Sequence, residues 1–389
     1  MNTERSSSRA ALPLLWLVGG ASRLTILAIP PILALLIIDL GLSGTQVGIL
    51  NAIPTALFSL VAIPGALLIA RVGAVNATIF GLLLTAAGSA LRGAAPSVLT
   101  LFAATVVMSA GVALMQPALP PLVRQWSPKR ISFATAIYTN GLLCGEIIPV
   151  ALAGTLLVVL GSGWRGTLVF WSVWPVLIAV LVFFTQPGGK GQPIIRNRRW
   201  MPDWRDPLVW KVGLALGANN QLYFCTNAFL PGLLLQNGQT ELIGPALSAL
   251  NAGQLPASFL ILAFASRIER RRWPLIAAGV VGLASIVGIV LSPSGWGIIT
   301  AAALIGFSCA VGLTILFSLP ALLVGSDDVS RLSAGSMAIG YSMAVAISLI
   351  AGAVWEYAGD AVFAFLPIAV TLIFIIVCPL MIDFRRQRS

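Results

Sequence analysis

In 389 residues the chain carries 58% apolar and only 9% charged residues, 23 basic against 12 acidic, and no histidine. Soluble domains carry about a quarter charged residues, so the composition excludes one and points to a polytopic membrane protein, while the missing histidine excludes His-ligated metals, Ser/His catalysis and histidine proton relays. The net charge of +11 is spread over many separate loops, which excludes a nucleic-acid surface.

A helix needs about 20 apolar residues to cross a hydrocarbon core. Twelve spans are expected by that ruler, over 11–38, 45–69, 75–92, 97–123, 132–160, 165–185, 208–235, 241–265, 273–291, 296–324, 330–356 and 361–382. The first run starts basic, as a signal peptide does, but Arg23 interrupts it and the apolar pattern continues to Ile38, so it reads as a retained span. A charge at mid-bilayer costs at least a few kcal/mol and persists only with a partner, a wet cavity or a function. Arg23 and Glu146 are the only charges near the middle of any run. The planar fork of Arg23 suits capture of a small anion; its competing reading is a structural ion pair.

Further along, Arg71 lies at the inner end of the second span and Arg267 holds the matching place after the eighth. The fourth span offers Gln116 and the fifth Tyr138 and Asn140. Glu146 follows Gly141 and Gly145, small residues that let helices approach closely, so it reads either as a proton carrier or as half of a packed ion pair. The stretch Gly161-Ser162-Gly163-Trp164-Arg165-Gly166 matches G-x-G-x-x-G in form, yet it sits between membrane spans without a βαβ setting and is set aside. Residues 186–207, rich in Gly, Pro and Arg, are expected to form a cytoplasmic linker between a six-helix bundle over 1–185 and a second over 208–389.

In the seventh span Asn220, Tyr223 and Asn227 share a helical face, with Asn219 and Gln221 beside it; Asn251 and Gln254 in the eighth and Tyr341 in the eleventh extend the set. Facing lipid, such groups would be unsatisfied, so together they imply a polar cavity. Cys144, Cys225, Cys309 and Cys378 read as buried small hydrophobes. If the N-terminus is cytoplasmic, the basic clusters around Arg71, Arg130, Arg196, Arg267 and Arg331 all fall inside and only Arg92 and Arg165 fall outside. This places both termini on the cytoplasmic side of the inner (plasma) membrane.

The halves echo each other. Leu50-Asn51-Ala52 recurs as Leu250-Asn251-Ala252, each followed by a proline (Pro54, Pro256), and Pro117 to Val123 is echoed by Ser318 to Val324. Two parallel six-span repeats form the architecture of the major facilitator transporters. Arg23 followed by Pro30-Pro31, the stretch Gly111 to Val123, Ile137-Tyr138-Thr139-Asn140-Gly141, Gln221-Leu222-Tyr223-Phe224 and Ser336 to Tyr341 carry a closer resemblance, in order and over essentially the whole chain. On these residues the chain resembles the cyanate permease and nitroimidazole transporter branch of the major facilitator superfamily. The superfamily's loop signature Gly-x-Leu-x-Asp-Arg-x-Gly is reduced to Gly65, Arg71 and Gly73, with Ala70 in the acid's place, so the gating loop that the resemblance implies would use Arg71 and its counterpart Arg267; Glu146 replaces a proline usual in antiporters.

The resemblance implies an all-α membrane protein of twelve transmembrane helices in two pseudo-symmetric bundles. It also implies a secondary transporter, not an enzyme. From the mid-span charges and the Asn, Gln and Tyr set, the cargo is expected to be a small polar anion (cyanate-, nitrite- or carboxylate-like) moved by alternating access, in symport with a proton if Glu146 takes one up or by exchange if Glu146 stays charged. Arg23 is expected to hold the anion. Gln116, Tyr138, Asn140, Asn220, Gln221, Tyr223, Asn227, Asn251, Gln254 and Tyr341 would orient it, with Glu146 as coupling group or ion-pair partner. No cofactor or metal is expected, and the partners are the solute, the proton and the bilayer around a monomer. The alternatives are a proton-coupled exporter of drug-like compounds and a non-transporting receptor of the same fold.

Overall fold

The computed structural model describes residues 2–42, 44–185, 200–268, 270–291 and 295–384, and for 2–9, 34, 44, 45, 48 and 266 the backbone alone. Of the expected linker, residues 186–199 lie outside the described residues. Among the described residues every regular element is helical. Nine helical stretches among them are long and apolar enough to cross a bilayer: Ala62–Gly93, Val98–Trp126, Ile131–Leu160, Gly163–Thr185, Thr240–Ala265, Trp273–Leu291, Gly295–Leu323, Val329–Ala358 and Ala361–Met381. The first, second and seventh expected spans are helical too, but each falls short of that measure for its own reason.

The first is not continuous. Helix α1 (Asn2–Leu24) ends in a turn over residues 25–29, a single 3-10 turn follows at Pro30–Ile32, and α2 (Leu33–Leu40) resumes. Pro30 and Pro31 have no amides for the carbonyls of Ile26 and Leu27, and their rings crowd those carbonyls. The amides of Ile26 and Leu27 both turn back to the Arg23 carbonyl at 3.0 Å. The second span is cut short for the same reason: α3 (Gly44–Leu60) stops at Val61, because Pro64 offers no amide to the Leu60 carbonyl. The next helix, α4 (Ala62–Gly93), carries the rest of it and then kinks at Gly73, whose φ of 81° and ψ of 162° suit glycine alone.

The remaining elements follow in order. Helix α5 (Val98–Met115) and α6 (Leu119–Trp126) are joined by the 3-10 turn Gln116–Ala118, amid Pro117, Pro120 and Pro121. Then come α7 (Ile131–Leu160), α8 (Gly163–Thr185) and α9 (Pro207–Gln236), the last capped by Asp206, which accepts from the Leu208 amide at 2.9 Å. This 30-residue helix is the seventh expected span, and its run of Asn and Gln lowers its apolar character. The eighth span is divided at Gly253 into α10 (Ile243–Ala252) and α11 (Gln254–Ile268). The chain closes with α12 (Trp273–Leu291), α13 (Gly295–Leu323), α14 (Val329–Ala358), α15 (Phe365–Thr371) and α16 (Ile373–Val377).

Two compact units emerge, Met1–Pro202 with Ser326–Ala334, and Asp203–Gly325 with Gly335–Ser389. The short second segment of the first unit is tied there by Arg331, whose Nε donates to the Met201 carbonyl at 2.9 Å. Within the first unit α1 crosses α7 on glycines. A Cβ at Gly19 would strike the Tyr138 carbonyl, one at Gly141 the Trp16 carbonyl, and one at Gly145 the Gly20 carbonyl. Within the second, α9 meets α14 with Gly213 against Ile339, Gly217 against Met343 and Gly340 against Leu216. Each pair is the first and fifth expected span of its half. The repeat read in the sequence thus returns as the same helix pairing, close enough for backbones to touch in the first unit.

Candidate functional site

The α1–α7 crossing brings the two mid-span charges together. Arg23 stands in the last turn of α1 and Glu146 directly after Gly145, with Arg23 Nε 3.5 Å from Glu146 Oε1 and side chains 9% and 17% exposed. The Arg23 guanidinium also lies over the Phe58 ring of α3, 5.4 Å from its centroid, a favourable cation–π placement. Two turns back along α1, Trp16 donates from Nε1 to Asn140 Oδ1 at 2.9 Å, and Cys144 Sγ approaches the same oxygen at 3.8 Å. Arg23, Glu146 and Asn140 therefore share one helix interface. Gln116 is buried in the 3-10 turn of the fourth span, and Tyr138 is fully sealed in packing.

In the second unit the expected polar residues separate into two sets. Gln221 is fully buried and donates from Nε2 to the Ile368 carbonyl of α15 at 3.2 Å, while Asn219 donates to the Cys309 carbonyl of α13 at 3.2 Å. Tyr341 is likewise sealed. The Asn219 and Gln221 bonds hold helices to one another, and Gln221, Tyr138 and Tyr341 are sealed in this conformation. The other set is half-buried: Tyr223 Oη donates to Asn251 Oδ1 at 2.7 Å, Asn227 Nδ2 to the Tyr223 carbonyl at 2.9 Å, and Asn251 Nδ2 to the Leu247 carbonyl at 2.8 Å. Asn220 is buried on the same face with its Nδ2 unpartnered, and Gln254 is buried at the Gly253 break. An unpartnered buried donor carries a desolvation cost of about 1–3 kcal/mol, which a partner at Asn220 Nδ2 would relieve. For Tyr223→Phe we expect a loss of about 1 kcal/mol of stability, read as a lower melting temperature, together with weaker solute binding.

Arg71 and Arg267 are both exposed, Arg267 over the Phe264 ring at 5.4 Å, and neither meets an acid among the described residues. The two basic residues expected on the outer side differ in their surroundings. Arg165 donates to Asp39 Oδ2 at 2.6 Å, Trp164 Nε1 donates to the same oxygen at 3.1 Å, and the guanidinium stacks 4.3 Å over the Trp164 ring. Arg92 is no loop residue at all: it is 1% exposed and donates from Nη1 to the Thr25 carbonyl at 2.9 Å. It ends a span and precedes Gly93-Ala94-Ala95-Pro96, and that absence of polar company was the signal for burial. Trp16 and Phe58 also escaped the reading of the sequence. Trp16 lies seven residues, about two turns, before Arg23 and so on its face; nothing in the sequence distinguishes Phe58.

Residues 15–348 match the Major Facilitator Superfamily. Over 355 residues the chain is 25% identical to the 2-nitroimidazole transporter of Escherichia coli (strain K12), covering 88% of each chain. It is 23% identical over 331 residues to the cyanate transport protein CynX of the same organism, covering 84% of this chain and 83% of that one. The transporter FucP, solved in an outward conformation, superposes with a TM-score of 0.76 at 16% identity, over 96% of this chain and 99% of that one, a likeness of fold.

Proposed function

The chain belongs to the Major Facilitator Superfamily and is a multi-pass membrane transporter; from that premise we propose that it carries a small, rigid, polar anion by alternating access, with a proton as the coupling ion. The observation that supports this most directly is the Arg23–Glu146 pair. Glu146 occupies the place beside the guanidinium that a solute anion would take. An incoming anion competes for Arg23, and the displaced carboxylate, left in a low dielectric, takes up a proton. Anion and proton then move together, which keeps the number of buried net charges constant through the cycle. The relatives named for cyanate and for 2-nitroimidazole are consistent with such cargo, since both compounds are small, rigid and nitrogen-bearing. In the second unit the half-buried Tyr223, Asn227 and Asn251, with Asn220, are proposed as neutral hydrogen-bonding groups for the solute.

Both termini are assigned to the cytoplasmic side on the loop charges.

The test uses the purified chain in proteoliposomes, with cyanate and 2-nitroimidazole as the probes. Uptake by the parent is expected to accelerate when an inward proton gradient is imposed. Glu146→Gln, fixed in the neutral form, is expected to bind the probe and exchange it across the bilayer while losing that acceleration. A Glu146→Gln protein that still responds to the gradient removes Glu146 from the coupling role.

A further inference from the structure

Arg92 is more deeply buried than Arg23, at 1% against 8% exposure, and it joins no ion pair among the described residues. A guanidinium buried without an acid is costly, and one hydrogen bond to a carbonyl could be made by a neutral side chain. Its place in the fold explains why a charge stands there. In an unbroken helix the Thr25 carbonyl would accept from the Ile29 amide, but the break at Pro30-Pro31 turns that amide to the Ile26 carbonyl at 3.5 Å. The Thr25 carbonyl is thereby orphaned inside an apolar cluster that includes Ile29, Ile32, Leu101 and Leu168. Arg92 Nη1 reaches it at 2.9 Å, a charge-assisted bond of the stronger kind. On the other side of the turn, Thr25 Oγ1 rests on Met108 Sδ at 3.3 Å.

The Arg23 carbonyl holds the amides of Ile26 and Leu27, so the turn and the Arg23 backbone form one hydrogen-bonded unit. That unit is fixed from behind by the glycine crossing at Gly19 and Gly20 and from ahead by Arg92. We infer that Arg92 is a positioning residue: by holding the Thr25 carbonyl it sets the broken end of the first span so that Arg23 faces Glu146. The inference rests on the proposed role of Arg23 in holding the anion.

The experiment uses the full chain with Arg92→Gln and Arg92→Lys, read in two ways. Hydrogen exchange without solute should show the Ile26 and Leu27 amides opening faster in Arg92→Gln, while amides along α7 keep the parent rate, with partial recovery in Arg92→Lys. In proteoliposomes with cyanate and 2-nitroimidazole, Arg92→Gln should raise KM by about tenfold, and combining it with Arg23→Lys should add little to the loss caused by Arg23→Lys alone, because residues that act through one another are not additive. Parent-like exchange at Ile26 and Leu27, or losses that multiply independently, would overturn the inference. If Arg92→Gln does not fold, Arg92→Lys combined with Arg23→Lys decides by the same additivity criterion. The exchange measurement contains no solute, so its failure bears on Arg92 alone, whereas unchanged uptake by Arg23→Ala overturns the proposed function.

Discussion

Uptake of cyanate and 2-nitroimidazole by proteoliposomes carrying Arg23→Ala is expected to fall by two orders of magnitude or more. Removing the guanidinium takes a buried charge contact from the anion, a loss of about 2–5 kcal/mol in binding at about a factor of ten for each 1.4 kcal/mol, and it also leaves a second charge buried and unpaired in the fold. Glu146 would be that stranded charge, and the cation over Phe58 would be lost as well. The loss therefore has two components that a second substitution separates. Adding Glu146→Gln to Arg23→Ala should recover thermal stability, since the stranded charge is gone, but should not recover uptake, since the anion still lacks its guanidinium. Parent-level uptake by Arg23→Ala would show that the pair is only structural.

The second large effect lies in packing. Gly141→Val is expected to destabilise the first unit by about 3 kcal/mol or more, at or above the usual range for overpacking, and to abolish uptake. A Cβ at Gly141 would collide with the backbone carbonyl of Trp16, which cannot rotate away as a side-chain tip could, so the helices must separate. That separation would pull Arg23 from Glu146 and Trp16 from Asn140 together. Gly154→Ala, in the same helix α7 with nothing within 4 Å of its added methyl, is the control. It should leave uptake intact and raise stability slightly through helix propensity. Thermal unfolding in detergent and uptake, measured on both variants, check the contrast. Equal behaviour would mean that the crossing tolerates separation.

Much of the fold was legible because a membrane helix announces itself by length and hydropathy alone. Each of the twelve expected runs falls on helix among the described residues, and the seventh is the least apolar span of its half for the reason its Asn and Gln residues implied. What failed was continuity. Pro30, Pro31 and Pro64 were visible, yet a proline inside an apolar run can kink, interrupt or leave a span nearly straight, and neighbouring helices decide which. The candidate site was legible in part. Mid-span depth singled out Arg23 and Glu146 without showing whether either had a partner. Helical spacing placed Asn220, Tyr223 and Asn227 on one face, and Tyr223 and Asn227 prove half-open. The same spacing could not show that Gln221, one residue further round than Asn220, turns toward α15 and is sealed.

The sequence by itself determined the solvent, the helices, their repeat and the two charges too costly to be idle, because these follow from composition and from periods of a few residues. The tertiary structure decided which face of each helix meets which neighbour. One residue turns a helix by 100°, so contacts between positions as distant as 23 and 146 depend on rotations fixed by close glycine contacts and on breaks fixed by proline, and not on any local pattern. That is why Arg23 and Glu146 stood out individually from the sequence, while their pairing, and the buried Arg92 that holds the turn beside them, came only from the packed helices.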